Sequence, residues 1–201
     1  MQLKRVVVTG LGALTPIGNS KDEYWKNLLA GVSGAAAITH FDASLFKTQF
    51  ACEVKNFNVE DFLDRKEARK MDAFTQYAMV SSEEALKDSG ILDSNPNRDR
   101  ICVVWGSGIG GLNTFQEEAK NYFGSDGPPR LNPFFIPKMI ADMAAGQISI
   151  KHDFRSPNYV TVSACASATN ALIDSFNLIR LGKSDAIVTG SSEACVNEMG
   201  M

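Results

Sequence analysis

Apolar residues fall along this chain in two kinds of run that alternate with each other. Four runs are short, continuous and rich in β-branched residues. They are KRVVVTGLG (4–12), RICVVWGSG (100–108) and DAIVTGSS (185–192), each running into glycine, and YVTVSA (159–164), which ends at Cys165. Unbroken apolar runs of this length suit strands buried on both faces of a parallel sheet. Between them lie SKDEYWKNLLAG (20–31), MDAFTQYAMVSSEEALKDSG (71–90) and CASATNALIDSFNLIRLG (165–182). Their apolar residues recur at helical spacing, and the last two end in basic residues followed by glycine, as helix C-termini favour. The pattern is α/β. Two further stretches, NYFGSDGPPRLNPFFIPKM (121–139) and AAGQISIKHDFRSPN (144–158), are broken by proline and glycine and are expected to be loops and covering elements.

Composition narrows this picture only slightly. With 201 residues, 44% of them hydrophobic, the chain is long enough to bury a substantial core. A formal net charge of −3 gives no overall attraction to nucleic acid or to an anionic membrane. Glycines and Pro16 interrupt the N-terminal apolar run before it reaches the length of a signal core or a membrane span, so a soluble, untargeted protein is expected. Cys52, Cys102, Cys165 and Cys195 are far apart and lack metal-ligand spacing, which suits free thiols in a reducing cytoplasm and calls for no metal or cofactor.

One thiol stands apart. Cys165 follows a strand-like run and opens a helix-like one, among the small residues Ser163, Ala164, Ala166, Ser167 and Ala168. In a parallel α/β sheet, sites form at the carboxyl ends of strands. A thiol at a helix N-terminus there meets unpaired N–H groups and the positive end of the helix dipole, which favour thiolate. The small neighbours, Ala164 included, permit a sharp turn and leave room for a substrate carbonyl, as a nucleophile elbow requires. The competing reading is a small buried cysteine that only packs. Cys52, Cys102 and Cys195 lack this setting and keep that reading.

A second candidate is Gly106, Gly108 and Gly111, which fit the GxGxxG spacing of a dinucleotide fingerprint between strand and helix. That fingerprint requires a second strand soon after the helix, whereas this chain enters SDGPPRLNPFF, whose prolines exclude a central strand. A third feature is basic. Arg65, Lys66, Arg69 and Lys70 recur at three- and four-residue separations and form one positive stripe if the segment is helical. Such a stripe is either a solvated face or the local patch that a net-acidic protein needs to attract an acidic partner.

Taken together, VSACASATNA, RVVVTGLGALTPIGN, RKEARKMDAF, GSGIGG and NPFFIPKMIADMAAGQIS resemble, in order and across residues 1–201, the β-ketoacyl-acyl carrier protein synthases, most closely the synthase II type of fatty-acid elongation. The resemblance implies a thiolase-like fold, in which two βαβαβαββ halves form a five-layered αβαβα body and two subunits make a homodimer. Residues 1–201 would be the first half. It implies that Cys165 takes an acyl group from acyl carrier protein and that a malonyl carrier protein then condenses with it, losing carbon dioxide. Ile109 matches a residue lining the acyl pocket. Phe135 matches one at the dimer interface that closes the partner's pocket. Lys66, Arg69 and Lys70 match residues that dock the acidic carrier protein, with Arg130 at another basic position of that surface. The family's two catalytic histidines belong to its second half, and His40 and His152 match neither, so they receive no role. The related alternatives are a polyketide ketosynthase and a chain-length factor. Factors of that kind lack the nucleophile that Cys165 supplies.

Overall fold

The computed structural model describes residues 3–128 and 130–201. In chain order the elements are α1 (Lys21–Leu29), β1 (Ala36–Ala37), β2 (Phe50–Ala51), α2 (Arg65–Ala68), α3 (Ala73–Ser89), β3 (Ile101–Gly106), α4 (Leu112–Phe123), α5 (Phe135–Met139), α6 (Met143–His152), β4 (Asn158–Thr161), α7 (Ser167–Arg180) and β5 (Ala186–Ser191). A short antiparallel ribbon pairs β1 with β2. The main sheet has the order β4-β3-β5 and is parallel throughout, with Val103 opposite both Asn158 and Val188.

The expected alternation of strand and helix is present. Every residue of β3 is buried, as an unbroken apolar run in a central parallel strand should be. Ile101, Val103 and Trp105 face Phe74, Ala78, Met79 and Leu86 of α3 and Ala144, Ala145 and Ile148 of α6 in one core cluster. The alternate residues face α7, because a strand sends successive side chains to opposite faces. Gly106 shows how close this packing is, since a Cβ there would lie 2.7 Å from the carbonyl carbon of Ser167. The result is three layers, with α3 and α6 on one side of the sheet and α7 on the other.

Helix ends follow local chemistry. Ser20 caps α1 through Glu23 N–H, Asp72 caps α3 through Phe74 N–H, and Gly90 ends α3 at φ 62°, a left-handed position that glycine occupies without steric cost.

Two expectations need correction. The stretch 144–158 covers the sheet as expected but is more regular than a loop. Most of it is α6, whose Ala144, Ala145 and Ile148 are fully buried against β3, so small residues that gave little periodic signal form a tight helix-sheet contact. The N-terminal run 4–12 forms no assigned strand and pairs with none among the described residues, and Val7 and Val8 remain 60% and 79% exposed. Its backbone is held instead by α3 and α7: Lys4 N–H donates to Arg180 O (2.9 Å), Leu11 N–H to Asp88 Oδ2 (2.9 Å) and Ala13 N–H to Glu84 Oε2 (2.8 Å). Gly10 and Gly12 let it lie on α3, because a Cβ at either would sit about 2 Å from a helix carbonyl oxygen (2.2 Å to Ala85 O, 1.9 Å to Ser81 O). Between this run and β5 lies an open slot of about 1150 Å³, lined on one side by residues 5–16 and on the other by 185–193. Lys4 Nζ bridges one end of it, donating to Asp185 Oδ1 (3.2 Å).

Helix α7 is two-sided. Ser167, Ala171 and Ser175, four residues apart, are buried against the sheet, while Leu172, Ile173 and Phe176 are exposed on the opposite face. Among the described residues no helix is long and apolar enough to cross a membrane.

Candidate active site

All three parallel strands end at the same edge of the sheet, so the segments that leave them converge there. These are the glycine-rich loop 107–111 after β3, residues 162–166 after β4, and Ser192–Glu193 after β5.

The segment after β4 turns sharply. Ala164 has φ 50°, a left-handed conformation that costs an alanine about 1–2 kcal/mol. Ala164–Ala166 form a 3-10 turn that leads directly into α7. Cys165 sits at the middle of this turn and is exposed. Four polar contacts fix the strained shape. Ser163 N–H donates to Ser167 Oγ (2.9 Å), Ser167 Oγ–H donates to Ala164 O (2.7 Å), Asn170 Nδ2 donates to Ser163 Oγ (2.6 Å), and Thr161 Oγ1 donates to Ser167 O (2.9 Å). The expected elbow is therefore present. Cys165 points out of a rigid turn at the head of a 14-residue helix, where the dipole favours an anion.

The other three thiols have different surroundings. Cys102 lies inside β3, buried, with its Sγ donating to Ser156 Oγ (3.2 Å). The Cys195 thiol is pushed up to about 12, first by burial and then by the neighbouring Glu193 carboxylate, which accepts its S–H at 3.3 Å. It is the opposite of an activated nucleophile. Cys52 is exposed but belongs to no turn at a helix head; it follows β2 and lines the slot described above.

The glycine-rich loop packs on the elbow, and a Cβ at Gly108 would stand 3.7 Å from Ala164 Cα. Ile109, at the loop's tip, is 58% exposed, and Phe135, half-buried, opens α5. The loop and the helix are joined at their ends: Gly111 N–H donates to the carbonyl of Met139, the last residue of α5, at 3.0 Å. That bond also answers the dinucleotide alternative. A pyrophosphate needs free N–H groups at the start of α4, but Thr114 N–H and Oγ1–H both donate to the buried Asp72 carboxylate (2.8 and 2.6 Å). A Cβ at Gly111 would lie 2.2 Å from Lys138 O, so this glycine makes room for protein. The described residues between 124 and 134 contain no strand.

The basic segment is a single helical turn, α2, whose hydrogen bonding continues through Arg69, Lys70 and Met71. Arg65 pairs with Glu60 (3.2 Å) and Lys70 with Glu67 (2.7 Å). Among the described residues Lys66 and Arg69 make no ion pair, so they carry the uncompensated charge of the patch. Arg130 is exposed in the loop between α4 and α5.

Neither histidine lies at the elbow. His40 Nδ1 is 3.7 Å from Glu53 and 3.3 Å from Val196 O. His152 ends α6 beside Glu83 (3.3 Å) and stacks on Phe154, and burial lowers its pKa.

Sequence reasoning missed Glu193, whose carboxylate receives the N–H groups of the glycine-rich loop, and Asp72, which ties α3 to the start of α4. The signal for Glu193 was present: it is the acidic residue just past the last strand run, at the sheet edge where sites form.

Residues 3–201 match the family described as Beta-ketoacyl synthase, N-terminal domain. The chain is 49% identical over 201 residues to the 3-oxoacyl-[acyl-carrier-protein] synthase 2 of Staphylococcus aureus (strain COL), covering all of this chain and 48% of that protein. It therefore spans about half the length of the curated relatives it matches. Among solved structures, the ishigamide ketosynthase/chain length factor superposes with a TM-score of 0.90 at 24% identity, over 98% of this chain and 49% of that one. A type II polyketide ketosynthase bound to its acyl-carrier protein and a hexaketide gives 0.84 at 22%, over 98% and 52%. At these identities the structural matches show the fold, which is the thiolase-like ketosynthase fold expected from the sequence. The strained elbow, the parallel sheet edge around it and the match across residues 3–201 agree, and the chain belongs to the beta-ketoacyl synthase family, whose N-terminal domain it carries.

Proposed function

We propose that this chain carries the nucleophile of a β-ketoacyl-acyl carrier protein synthase of fatty-acid elongation. The Cys165 thiolate attacks the carbonyl of an acyl thioester on acyl carrier protein; a new C–S bond forms and the carrier thiolate leaves. A malonyl carrier protein then loses carbon dioxide, and the resulting carbanion attacks the acyl-Cys165 carbonyl, expelling the thiolate and leaving a β-ketoacyl carrier protein. The N–H of Cys165 is one donor to the oxyanion of both acyl steps. The observation that carries this reading is the exposure of Cys165 on a strained turn at the head of α7, a setting that Cys52, Cys102 and Cys195 lack. Lys66, Arg69 and Lys70, with Arg130 at another basic position, receive the acidic carrier protein; Ile109 lines the acyl pocket and Phe135 closes a partner subunit's pocket in a homodimer.

On the same reading residues 1–201 are the first half of a thiolase-like domain. Two features support it. Beside the slot between residues 5–16 and β5, β5 is paired on one edge only among the described residues, which suits one inserted strand from further along the polypeptide. The exposed Leu172, Ile173 and Phe176 of α7 need a cover that the described residues do not supply. The malonyl step needs donors that stabilise an enolate, and the family takes these from histidines outside the matched half.

The test compares condensation of acyl and malonyl carrier proteins by the 201-residue chain and by a polypeptide extended to the length of its relatives, with Cys165→Ala as blank. Product from the extended chain alone supports the reading. Product from the isolated 201 residues above the blank, or from extended Cys165→Ala, overturns it.

A further inference from the structure

We infer that Glu193 is a positioning residue: its carboxylate latches the glycine-rich loop against the Cys165 elbow and so sets how readily Ile109 gives way to a long acyl chain. The inference rests on the reading of Cys165 as acyl acceptor and of Ile109 as pocket lining given above.

The latch is built from four contacts to one carboxylate. Glu193 Oε2 accepts from Gly108 N–H (2.5 Å) and Ile109 N–H (3.3 Å), while Oε1 accepts from Ser107 Oγ–H (3.5 Å) and the thiol of Cys195 (3.3 Å). Ser107 Oγ in turn accepts Gly110 N–H (3.1 Å), which closes the loop on itself. A side chain at position 108 would meet Glu193 Oε2 at 2.9 Å, so glycine is required for the carboxylate to reach the backbone.

Glu193 is itself firmly held. Ser192 N–H extends the β3–β5 ladder to Gly106 O (3.1 Å), and Trp105 Nε1 donates to Ser192 Oγ (2.9 Å). On its other side Ala194 O accepts from Asn113 Nδ2 (2.9 Å), Asn197 Nδ2 donates to Asn113 Oδ1 (2.7 Å), and Met199 N–H donates to Gln116 Oε1 (3.0 Å). The segment after β5 is thus fastened along α4, and Glu193 projects from it onto the loop that joins β3 to α4. The tip, residues 108 and 109, gives both its N–H groups to this carboxylate. Hydrogen bonds to a charged acceptor are among the stronger ones in a protein, so their loss frees this tip in particular.

The experiment uses the full-length polypeptide and measures acylation rates of Cys165, by intact mass, with thioesters of short and long saturated acyl chains. Glu193→Ala removes the acceptor; Glu193→Gln retains an oxygen able to accept both N–H groups. The expected result is a rise of about fivefold or more in the long-to-short rate ratio for Glu193→Ala, with Glu193→Gln restored close to the parent ratio. Hydrogen exchange of the loop peptide 107–111 should accelerate about tenfold in Glu193→Ala and little in Glu193→Gln. An unchanged ratio, or equal losses for both chain lengths, overturns the latch. If Glu193→Ala fails to fold, Glu193→Gln decides: a shifted ratio in the Gln variant contradicts the acceptor role. Absence of any acyl adduct on Cys165 in the parent protein would instead overturn the functional reading beneath it.

Discussion

Replacing Gly106 by alanine probes the contact that joins the fold to the site. Gly106 is the last residue of β3, and a Cβ built there would lie 2.7 Å from Ser167 C, 2.8 Å from Ser167 O and 2.8 Å from Ala168 N. These are backbone atoms of the first residues of α7, so no side-chain rotation relieves the clash. Ordinary contact is about 3.5–4.0 Å, and the start of α7 must therefore move by about 1 Å. Overpacking of this kind costs about 1–3 kcal/mol of stability. Ser167 also fastens the elbow through Ser163 N–H and Ala164 O, so its displacement carries Cys165 with it. A misplacement of about 1 Å in reacting groups costs on the order of 100-fold in rate. Denaturant unfolding and the rate of Cys165 acylation, both on the full-length polypeptide, measure the two effects. Gly127→Ala is the control, since a Cβ there meets nothing within 4 Å. If Gly106→Ala loses stability but acylates Cys165 within about threefold of the parent, the elbow is not positioned by its packing on β3 and the reasoning fails.

Two further outcomes follow from charge. Reversing Lys66 and Arg69 to Glu should slow the use of acyl carrier protein about tenfold or more at low salt and much less at high salt, while acylation by a small thioester changes little, because exposed charges act on encounter; equal losses with both substrates would place the residues in folding. The Asp185 carboxylate is lowered to about 2, first by the hydrogen bond from Arg100 and then by that from Lys4. A depressed folded pKa adds stability above the unfolded value of about 3.9 and loses it as pH falls toward 2, so the difference between the parent and Asp185→Asn should vanish across that window. The group is about half exposed, which limits the difference to about 1 kcal/mol at neutral pH; a gap that persists at pH 2 would contradict the assignment.

Much of this was legible in residue order. The three sheet strands and the helices α1, α3 and α7 announce themselves through continuous β-branched runs and 3.6-residue spacing, although among the described residues β3 alone of these strands is fully buried and α1 buries no residue. The elbow was readable because small residues flank Cys165 where a strand-like run gives way to a helix-like one. Helix α6 was not, since Ala144, Ala145 and Gly146 pack by being small, and smallness resembles a loop in a pattern of polarity. The unpaired N-terminal run was misread for a different reason: its composition records a burial that the described residues only half supply. For Glu193 the sequence marks the place, just past the last strand run, but not the role, which lies in contacts with backbone N–H groups 84 and 85 positions away.

The central claim is that Cys165 alone among the four cysteines accepts the acyl group. Incubating the full-length polypeptide with acyl carrier protein charged with a long acyl chain, then locating the adduct by peptide mass spectrometry, tests it directly. The account predicts one acyl thioester, on the peptide bearing Cys165, lost in Cys165→Ala. An adduct on Cys52, Cys102 or Cys195, or undiminished acylation of Cys165→Ala, would contradict it.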